Sequence, residues 1–244
     1  HGGDGDGGTG MNGVTGRTVV VTGANGALGQ EVVRRLVAAG AKAAVITRGA
    51  PAEEIAGLDG VSAYRADLSD RAATAEAVGR IVAEHGGADG LLHLVGGWRG
   101  GTPIDEADPA DWDFLEAGLI RSLQNVSQPL YPALAASEDA RVAVISSISV
   151  AKPTAKNAMY ATAKAAAEAW TLALADGFAG TGAAATVLRV MALLTPQMKA
   201  DSPERKFPRY TPIGDVADRL VALWDAPAAE VNGTVDTLVP EVTA

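Results

Sequence analysis

Short apolar runs alternate with helix-forming stretches along most of the chain. The apolar runs are continuous rather than alternating with polar residues, which is typical of strands buried on both faces of a sheet. The predicted strands cover residues 17–21, 41–47, 61–64, 91–95, 141–147, 184–190 and 234–239. The predicted helices cover residues 30–39, 71–85, 112–136, 159–178 and 216–224.

This order of elements predicts an α/β fold with a doubly wound, mainly parallel, Rossmann-type sheet and helices on both faces. Right-handed crossovers would place the ligand-binding loops at the carboxyl ends of the strands. We expect the helix over residues 112–136 to be interrupted near Pro129 and Pro132. Residues 193–212 carry several prolines and mixed charge, and we expect them to form a mobile loop.

The domain organisation follows from two further observations. No linker or internal repeat divides the chain, so residues 13–244 are predicted to form a single domain. Residues 1–12 are too rich in glycine to pack by themselves. We expect these residues to be a flexible tail, in which residues 1–10 are a remnant of expression cloning ahead of a natural start at Met11.

Composition argues against several classes of function. The chain has no cysteine and three histidines, which excludes disulfides and leaves little for a metal site, so we expect none. The formal net charge of −9 argues against binding to nucleic acid or an anionic membrane. No apolar run is long enough to span a membrane and no signal peptide is visible, so we expect a cytoplasmic protein.

A glycine-rich turn lies between the first predicted strand and the first predicted helix. Gly23, Gly26 and Gly29 recur there at a spacing of three residues. Small residues at this place let a pyrophosphate approach the backbone at a helix N-terminus. The turn therefore indicates a nucleotide site, although an ordinary tight strand-to-helix turn would leave the same pattern.

Tyr160 and Lys164 are four residues apart in a run of helix formers, so their side chains lie on one helical face. An ammonium beside a phenol favours the phenolate, so we expect the Tyr160 pKa to fall from its ordinary value of about 10. Such a phenol could exchange a proton with an alcohol or a carbonyl compound. Ser147, at the end of a predicted strand, could hold the same substrate oxygen. The alternative is a partly buried Tyr beside a Lys whose stem packs along the helix.

Together these motifs resemble the short-chain dehydrogenase/reductase superfamily, in its single-domain branch, over about residues 15–240. The resemblance implies that Tyr160 is the general acid and base, that Ser147 polarises the carbonyl, and that Lys164 lowers the Tyr160 pKa and binds the nicotinamide ribose. It also implies a dinucleotide site. The residues expected to contact the dinucleotide are Gly23, Asn25, Gly26, Ala27, Leu28, Gly29, Thr47, Arg48, Asp67, Leu68, Gly96, Tyr160, Lys164 and Thr195.

The end of the second strand bears on which dinucleotide is bound. A carboxylate at this position would bind a ribose 2′-hydroxyl and repel a 2′-phosphate. Thr47 and Arg48 stand there instead, and a hydroxyl and a guanidinium suit a phosphate. We therefore predict NADP(H) rather than NAD(H), unless Arg48 is simply a solvated surface residue. Asp67 also has an alternative role, as a carboxylate at a turn or a helix N-terminus.

The chain departs from the family pattern at four places, which marks it as a divergent member. Ala27 replaces a usual glycine, and Val190-Met191 replaces a usual Pro-Gly. His93 replaces a usual Asn, and we expect it to have a hydrogen-bonded structural role rather than that of a base. Leu119 or Ile120 stands where the family carries an Asn that holds a proton-relay water, so we expect the relay to be altered or absent.

The resemblance predicts an NADP(H)-dependent oxidoreductase that acts on a small carbonyl or secondary alcohol substrate and forms a homo-oligomer through the helices at 112–136 and 159–178. Two alternatives stay open: a non-catalytic nucleotide-binding regulator, and an epimerase or dehydratase that retains NAD. We expect substrate walls from residues 97–101 and 193–212. Four cations there are either substrate contacts or solvated loop charges: Arg99, Arg205, Lys206 and Arg209.

Overall fold

A computed structural model of the protein describes residues 13–242. The predicted tail, residues 1–12, lies outside the described residues. In chain order, the strands are β1 (Thr18–Thr22), β2 (Lys42–Thr47), β3 (Val61–Arg65), β4 (Gly90–His93), β5 (Ala140–Ser147), β6 (Ala183–Val190), β7 (Ala192–Leu194), β8 (Tyr210–Pro212) and β9 (Val235–Thr237). The helices are α1 (Ala27–Ala38), α2 (Glu53–Ala56), α3 (Arg71–His85), α4 (Pro109–Leu115), α5 (Ser122–Ala136), α6 (Ala158–Gly177), α7 (Pro196–Asp201), α8 (Ile213–Val221) and α9 (Ala228–Val231).

Seven of these strands form one sheet in the order β3-β2-β1-β4-β5-β6-β9, and every pairing between them is parallel. The prediction of a doubly wound parallel sheet in a single domain is thereby confirmed. The chain leaves β1 toward β2 and β3, and later returns to the other side of β1 to form β4. Ligands bind at such a reversal of strand order, beyond the carboxyl ends of the strands.

Both faces of the sheet are covered because successive side chains of a strand point to opposite faces. In β1, Val19 and Val21 join the core beneath α1 and α8, whereas Val20 joins the core beneath α3 and α5. All three valines are fully buried, and burying each one stabilises the fold by about 1.5–3 kcal/mol. The sheet is therefore held between two apolar layers, as the continuous apolar runs predict.

Two predictions about irregular segments are wrong. The helical region before β5 continues through Pro129 and Pro132, and its irregular part is a π-helical segment, Glu116–Arg121, between α4 and α5. Residues 193–212 are not a structureless loop, because they contain α7 and the small parallel pair of β7 with β8. Among the described residues, no helix combines the length and the apolar character needed to cross a bilayer.

Candidate active site

The glycine turn after β1 is shaped for close approach by a ligand. Gly23 has a φ of 69°, and a Cβ there would collide with the Leu94 carbonyl group. A Cβ on Gly29 would collide with the backbone of Gly23 and Ala24, so α1 packs directly against the turn. Gly26 precedes α1 and no side chain caps that helix, which leaves its first N–H groups available to an anion. These features fit the pyrophosphate of a dinucleotide.

Two cavities extend from this turn and meet at Gly23 and Val95. The first has a volume of about 470 Å³ and is lined by six of the predicted cofactor residues, namely Gly23, Asn25, Thr47, Arg48, Asp67 and Leu68. The second has a volume of about 450 Å³ and is lined by nine of them, namely Gly23, Gly26, Ala27, Leu28, Gly29, Gly96, Tyr160, Lys164 and Thr195. We call these the adenine-side cavity and the nicotinamide-side cavity. Together they have room for the two halves of a dinucleotide.

Polar contacts organise the adenine-side cavity. The Thr47 hydroxyl donates to the Gly49 carbonyl over 2.7 Å, and the Asn25 side chain binds the backbone of Ala50 and Ala52. The Arg48 side chain is 81% exposed and lies 3.5 Å from the Asp67 carboxylate. Hydrogen bonds from Ser69 lower the pKa of Asp67, and the charge of Arg48 contributes less. Arg48 therefore presents its guanidinium at the cavity, where it is paired only weakly with Asp67.

Sequence reasoning missed part of the adenine-side wall. The π-helical segment and its flanks contribute apolar and small residues to it: Phe114, Ala117, Gly118 and Ser122. Asn125 also supports this wall, because its amide donates to the Leu68 carbonyl over 2.8 Å. The only sequence signal was the helical spacing of this region, which does not say which face meets the sheet.

Tyr160 and Lys164 project from the first turns of α6 into the nicotinamide-side cavity, as their spacing predicts. The Lys164 ammonium lies 5.7 Å from the centre of the Tyr160 ring and donates to the Ile145 carbonyl over 2.8 Å. Burial lowers the pKa of Lys164 to about 8, and the negative charge of Glu168 acts against this decrease. Lys164 is thus a buried lysine that loses its proton at a lower pH than an exposed lysine does.

The expected fall of the Tyr160 pKa is not found. Burial raises the pKa of Tyr160, and a hydrogen bond from Ser147 only partly offsets the increase. The reason is that the cavity wall removes water from the phenol, while the Lys164 ammonium is directed toward the Ile145 carbonyl. Tyr160 is therefore a protonated phenol at neutral pH.

Ser147 is placed differently from the other two predicted catalytic residues. It ends β5 and is buried, and it does not line either cavity. Its hydroxyl oxygen accepts hydrogen bonds from the Ser149 N–H over 3.1 Å and from the Ser149 hydroxyl over 2.8 Å. With both acceptor positions filled, the Ser147 proton remains available to donate, and Ser147 is near enough to Tyr160 to act against the rise of the Tyr160 pKa.

His93 is a buried link between β1 and α5, in agreement with a structural role. Its Nδ1 lies 2.7 Å from the Thr22 hydroxyl, and its Nε2 lies 3.1 Å from the Ser122 hydroxyl. Ser122 gives its proton to the Gly118 carbonyl over 2.5 Å, so His93 must donate from Nε2 and accept at Nδ1. Burial, with a smaller effect from Lys164, lowers the pKa of His93 to about 3.

The region of the expected relay Asn is apolar. Leu119 is buried against Leu115 and Ala163, and Ile120 packs against the same cluster. Neither side chain can hold a water molecule by a hydrogen bond. At the other side of the cavity, Val190 and Met191 contribute to the wall, as does Trp98 from the predicted 97–101 segment.

A parallel doubly wound sheet with a glycine turn and two cavities at its topological switch point defines a dinucleotide-binding α/β protein. Residues 17–208 match the family described as short chain dehydrogenase. The chain therefore belongs to the short-chain dehydrogenase/reductase family and is an oxidoreductase of that family.

Individual relatives are distant. A short chain dehydrogenase of Pseudocercospora fijiensis is 29% identical over 174 residues, which cover 68% of this chain and only 56% of that relative. The oxidoreductase UcpA of Escherichia coli is 31% identical over 180 residues, 70% of this chain and 67% of UcpA. An acetoacetyl-CoA reductase of Acinetobacter is 28% identical over 194 residues, 75% of this chain and 77% of that enzyme.

Solved structures agree with the fold. A 3-ketoacyl-(acyl-carrier-protein) reductase from Brucella melitensis, complexed with NADH, superimposes with a TM-score of 0.81 at 22% identity, over 93% of this chain and 98% of that one. A short chain dehydrogenase from Burkholderia cenocepacia in complex with NADP gives a TM-score of 0.76 at 25% identity, over 93% and 97%. Similar structures thus hold a nicotinamide dinucleotide, of either kind.

Proposed function

We propose that the protein uses NADP(H) to interconvert a carbonyl compound and a secondary alcohol, with Tyr160 as the general acid and base. The observation that supports this most directly is that Tyr160 and Lys164 share one cavity with the glycine turn. When bound, the nicotinamide cofactor would supply or accept the hydride. The glycine turn, the free end of α1 and the two cavities would hold it.

The protein's own groups would handle the proton. Because burial raises its pKa, Tyr160 keeps its proton at neutral pH and can give it to the oxygen of a carbonyl being reduced. Ser147 acts to lower the pKa of Tyr160, so it would stabilise the phenolate that remains by donating to it. Lys164, with one N–H used on Ile145, has further donors for the ribose hydroxyls. Reduction is the direction that these protonation states favour.

Recovery of the proton would follow a different path from that of the family. Leu119 and Ile120 cannot hold the relay water, so Tyr160 would regain its proton from solvent that enters the nicotinamide-side cavity. Loss of the relay would slow this recovery without preventing hydride transfer. A rapid first turnover followed by a slower steady rate would support the assignment.

The preference for NADP(H) rests on Arg48. Its exposed guanidinium lies at the adenine-side cavity, where a 2′-phosphate would meet a positive charge instead of a carboxylate. Titration of the protein with NADPH and with NADH, followed by cofactor fluorescence, tests this. We expect NADPH to bind at least about tenfold more tightly, and Arg48→Leu to remove the difference while leaving NADH affinity unchanged. Tighter binding of NADH to the wild-type protein would refute the assignment.

A carbonyl screen with NADPH at neutral pH tests the activity itself. Acetoacetyl-CoA belongs in the panel because an acetoacetyl-CoA reductase is among the relatives, together with small ketones and diketones. We expect oxidation of NADPH with at least one of them. Binding of NADPH without turnover across the panel would favour the non-catalytic nucleotide-binding alternative.

Assembly and location are part of the same proposal. We infer a cytoplasmic protein that forms a homo-oligomer through α5 and α6, as its family resemblance implies, and Leu172 is an exposed apolar side chain on α6 with which to test that interface. Light scattering during size-exclusion chromatography tests this. A monomer at all concentrations would contradict it, and Leu172→Glu should shift an oligomer toward the monomer.

A further inference from the structure

Glu168 is a buried carboxylate one helical turn beyond Lys164 on α6. Its Oε1 accepts a hydrogen bond from the Ser146 hydroxyl over 2.7 Å and another from Arg189 Nε over 2.8 Å. Its Oε2 accepts from Arg189 Nη2 over 2.7 Å. The Glu168 side chain is 7% exposed, so this is a bidentate, largely desolvated ion pair rather than a surface pair.

The contacts of Glu168 join the three elements that carry the nicotinamide-side cavity. Ser146 precedes Ser147 on β5 and itself lines the cavity. Arg189 precedes Val190, which lines the cavity from β6. Because one carboxylate holds a side chain from each strand while its own helix carries Tyr160 and Lys164, it fixes α6 against the ends of β5 and β6.

Glu168 also supplies the negative charge that stabilises the Lys164 ammonium. The Lys164 ammonium donates to the neutral Ile145 carbonyl, and burial favours loss of a proton from Lys164. The other titratable or charged groups around it are Tyr160 on the same helix, His93 on β4 and Arg189 on β6. Tyr160 and His93 are neutral at neutral pH and Arg189 is positive, so none of the three stabilises the ammonium. Glu168 does, through its charge.

We propose that Glu168 is a positioning residue for the reaction, which keeps Lys164 charged and holds α6 in register with β5 and β6. The inference rests on the proposed function insofar as it concerns catalysis. Its electrostatic part concerns the folded protein alone and is measured without a substrate.

Side-chain NMR of isotope-labelled lysine measures the titration of Lys164 directly, and the signal is assigned by its absence in Lys164→Met. Glu168→Gln removes the charge and keeps the shape, and we expect it to lower the Lys164 midpoint by about one pH unit. Glu168→Asp keeps the charge, and we expect its Lys164 midpoint to lie close to that of the wild-type protein. An unchanged midpoint in folded Glu168→Gln would overturn the proposal.

Asp139→Asn is the matched control. Asp139 pairs with the buried Arg141 over 2.7 Å, at the opposite end of β5 from Ser147. The substitution therefore disturbs an ion pair with a buried arginine at the far end of β5, away from Lys164, and should leave the Lys164 midpoint unchanged. A shift as large as that of Glu168→Gln would mean that the effect is general loosening, which would also overturn the proposal.

Glu168→Gln leaves Arg189 without its partner, which could prevent folding. Glu168→Gln/Arg189→Gln removes both charges together, and we again expect a lowered Lys164 midpoint, since Glu168 is the group whose charge supports the ammonium. If neither variant folds, Glu168 is a structural residue and the positioning role is wrong.

Kinetics with NADPH and acetoacetyl-CoA, or the best substrate of the carbonyl screen, test the catalytic part. We expect Glu168→Gln to lower kcat about twofold at pH 7, where a midpoint lowered from about 8 to about 7 leaves about half of Lys164 charged, and about tenfold above about pH 9, with little change in KM. An equal loss at all pH values would contradict it. If the wild-type protein turns over no substrate but the NMR midpoints shift as expected, the proposed function fails and the electrostatic role of Glu168 stands.

Discussion

Replacement of Tyr160 by Phe removes one oxygen atom from the nicotinamide-side cavity and little else. The ring packs against the cluster of Leu115, Leu119 and Ala163, and Phe keeps that packing. The lost hydroxyl is the proposed proton donor, and a positioned general acid contributes about 10²–10⁴-fold to a rate. At about 1.36 kcal/mol per tenfold, the barrier should rise by about 3–5 kcal/mol.

The same substitution should leave the fold and the cofactor site intact. The hydroxyl interacts with Ser147, and even a full hydrogen bond there would contribute only about 0.5–1.5 kcal/mol of net stability. Removing the neutral, buried hydroxyl also removes the cost of desolvating a polar group, so the two effects partly cancel. We expect a change in unfolding free energy of less than about 1.5 kcal/mol and an NADPH affinity within about twofold of the wild type.

Steady-state NADPH oxidation with the best substrate of the carbonyl screen measures kcat, and cofactor fluorescence and urea unfolding measure the other two quantities. Tyr131→Phe is the matched control, because it removes a hydroxyl that donates to the Gly177 carbonyl over 2.8 Å, away from both cavities. It should keep the wild-type kcat. A Tyr160→Phe protein with wild-type kcat would refute the proposed role of the phenol, whatever its stability.

Three further predictions follow from packing, burial and backbone geometry. Gly29→Ala places a Cβ against the Gly23 backbone, so NADPH affinity should fall at least about tenfold, whereas Gly57→Ala, in open space, should not change it. Leu123→Ala should lower the unfolding free energy by about 2–5 kcal/mol in urea melts, since Leu123 is fully buried; a cost below about 1 kcal/mol would contradict its place in the core. His93 is neutral when folded, with a pKa of about 3, whereas unfolded His titrates near 6.5. Stability should therefore fall as pH decreases below about 6.5, by at most about 1.4 kcal/mol per pH unit, and His93→Gln should reduce this dependence.

Much of the fold and part of the site could be predicted because they depend on local patterns. Continuous apolar runs are typical of strands covered on both faces, and the predicted strands and helices differ from the observed ones mainly at their ends. The position of the main irregularity, Glu116–Arg121, could not be predicted, because its one weak helix former, Gly118, is also tolerated inside regular helices. Pro129 and Pro132 do break helices by local rules, yet α5 accommodates both, since tertiary packing overrides local preference.

The sequence by itself determined which groups can meet at the switch point of the sheet. Four-residue spacing puts Tyr160 and Lys164 on one face of α6, whatever surrounds them, and the position of Ser147 at the end of a buried strand puts it at the ligand-binding edge of a parallel sheet. Their protonation was decided mainly by the tertiary structure. Burial and hydrogen bonds come from other elements, and they raise the pKa of Tyr160, lower the pKa of Lys164 and make His93 a neutral link, while the opposing charge of Glu168 comes from α6 itself. A pKa depends on water excluded and charges nearby in space, and neither quantity is written in the order of residues along the chain.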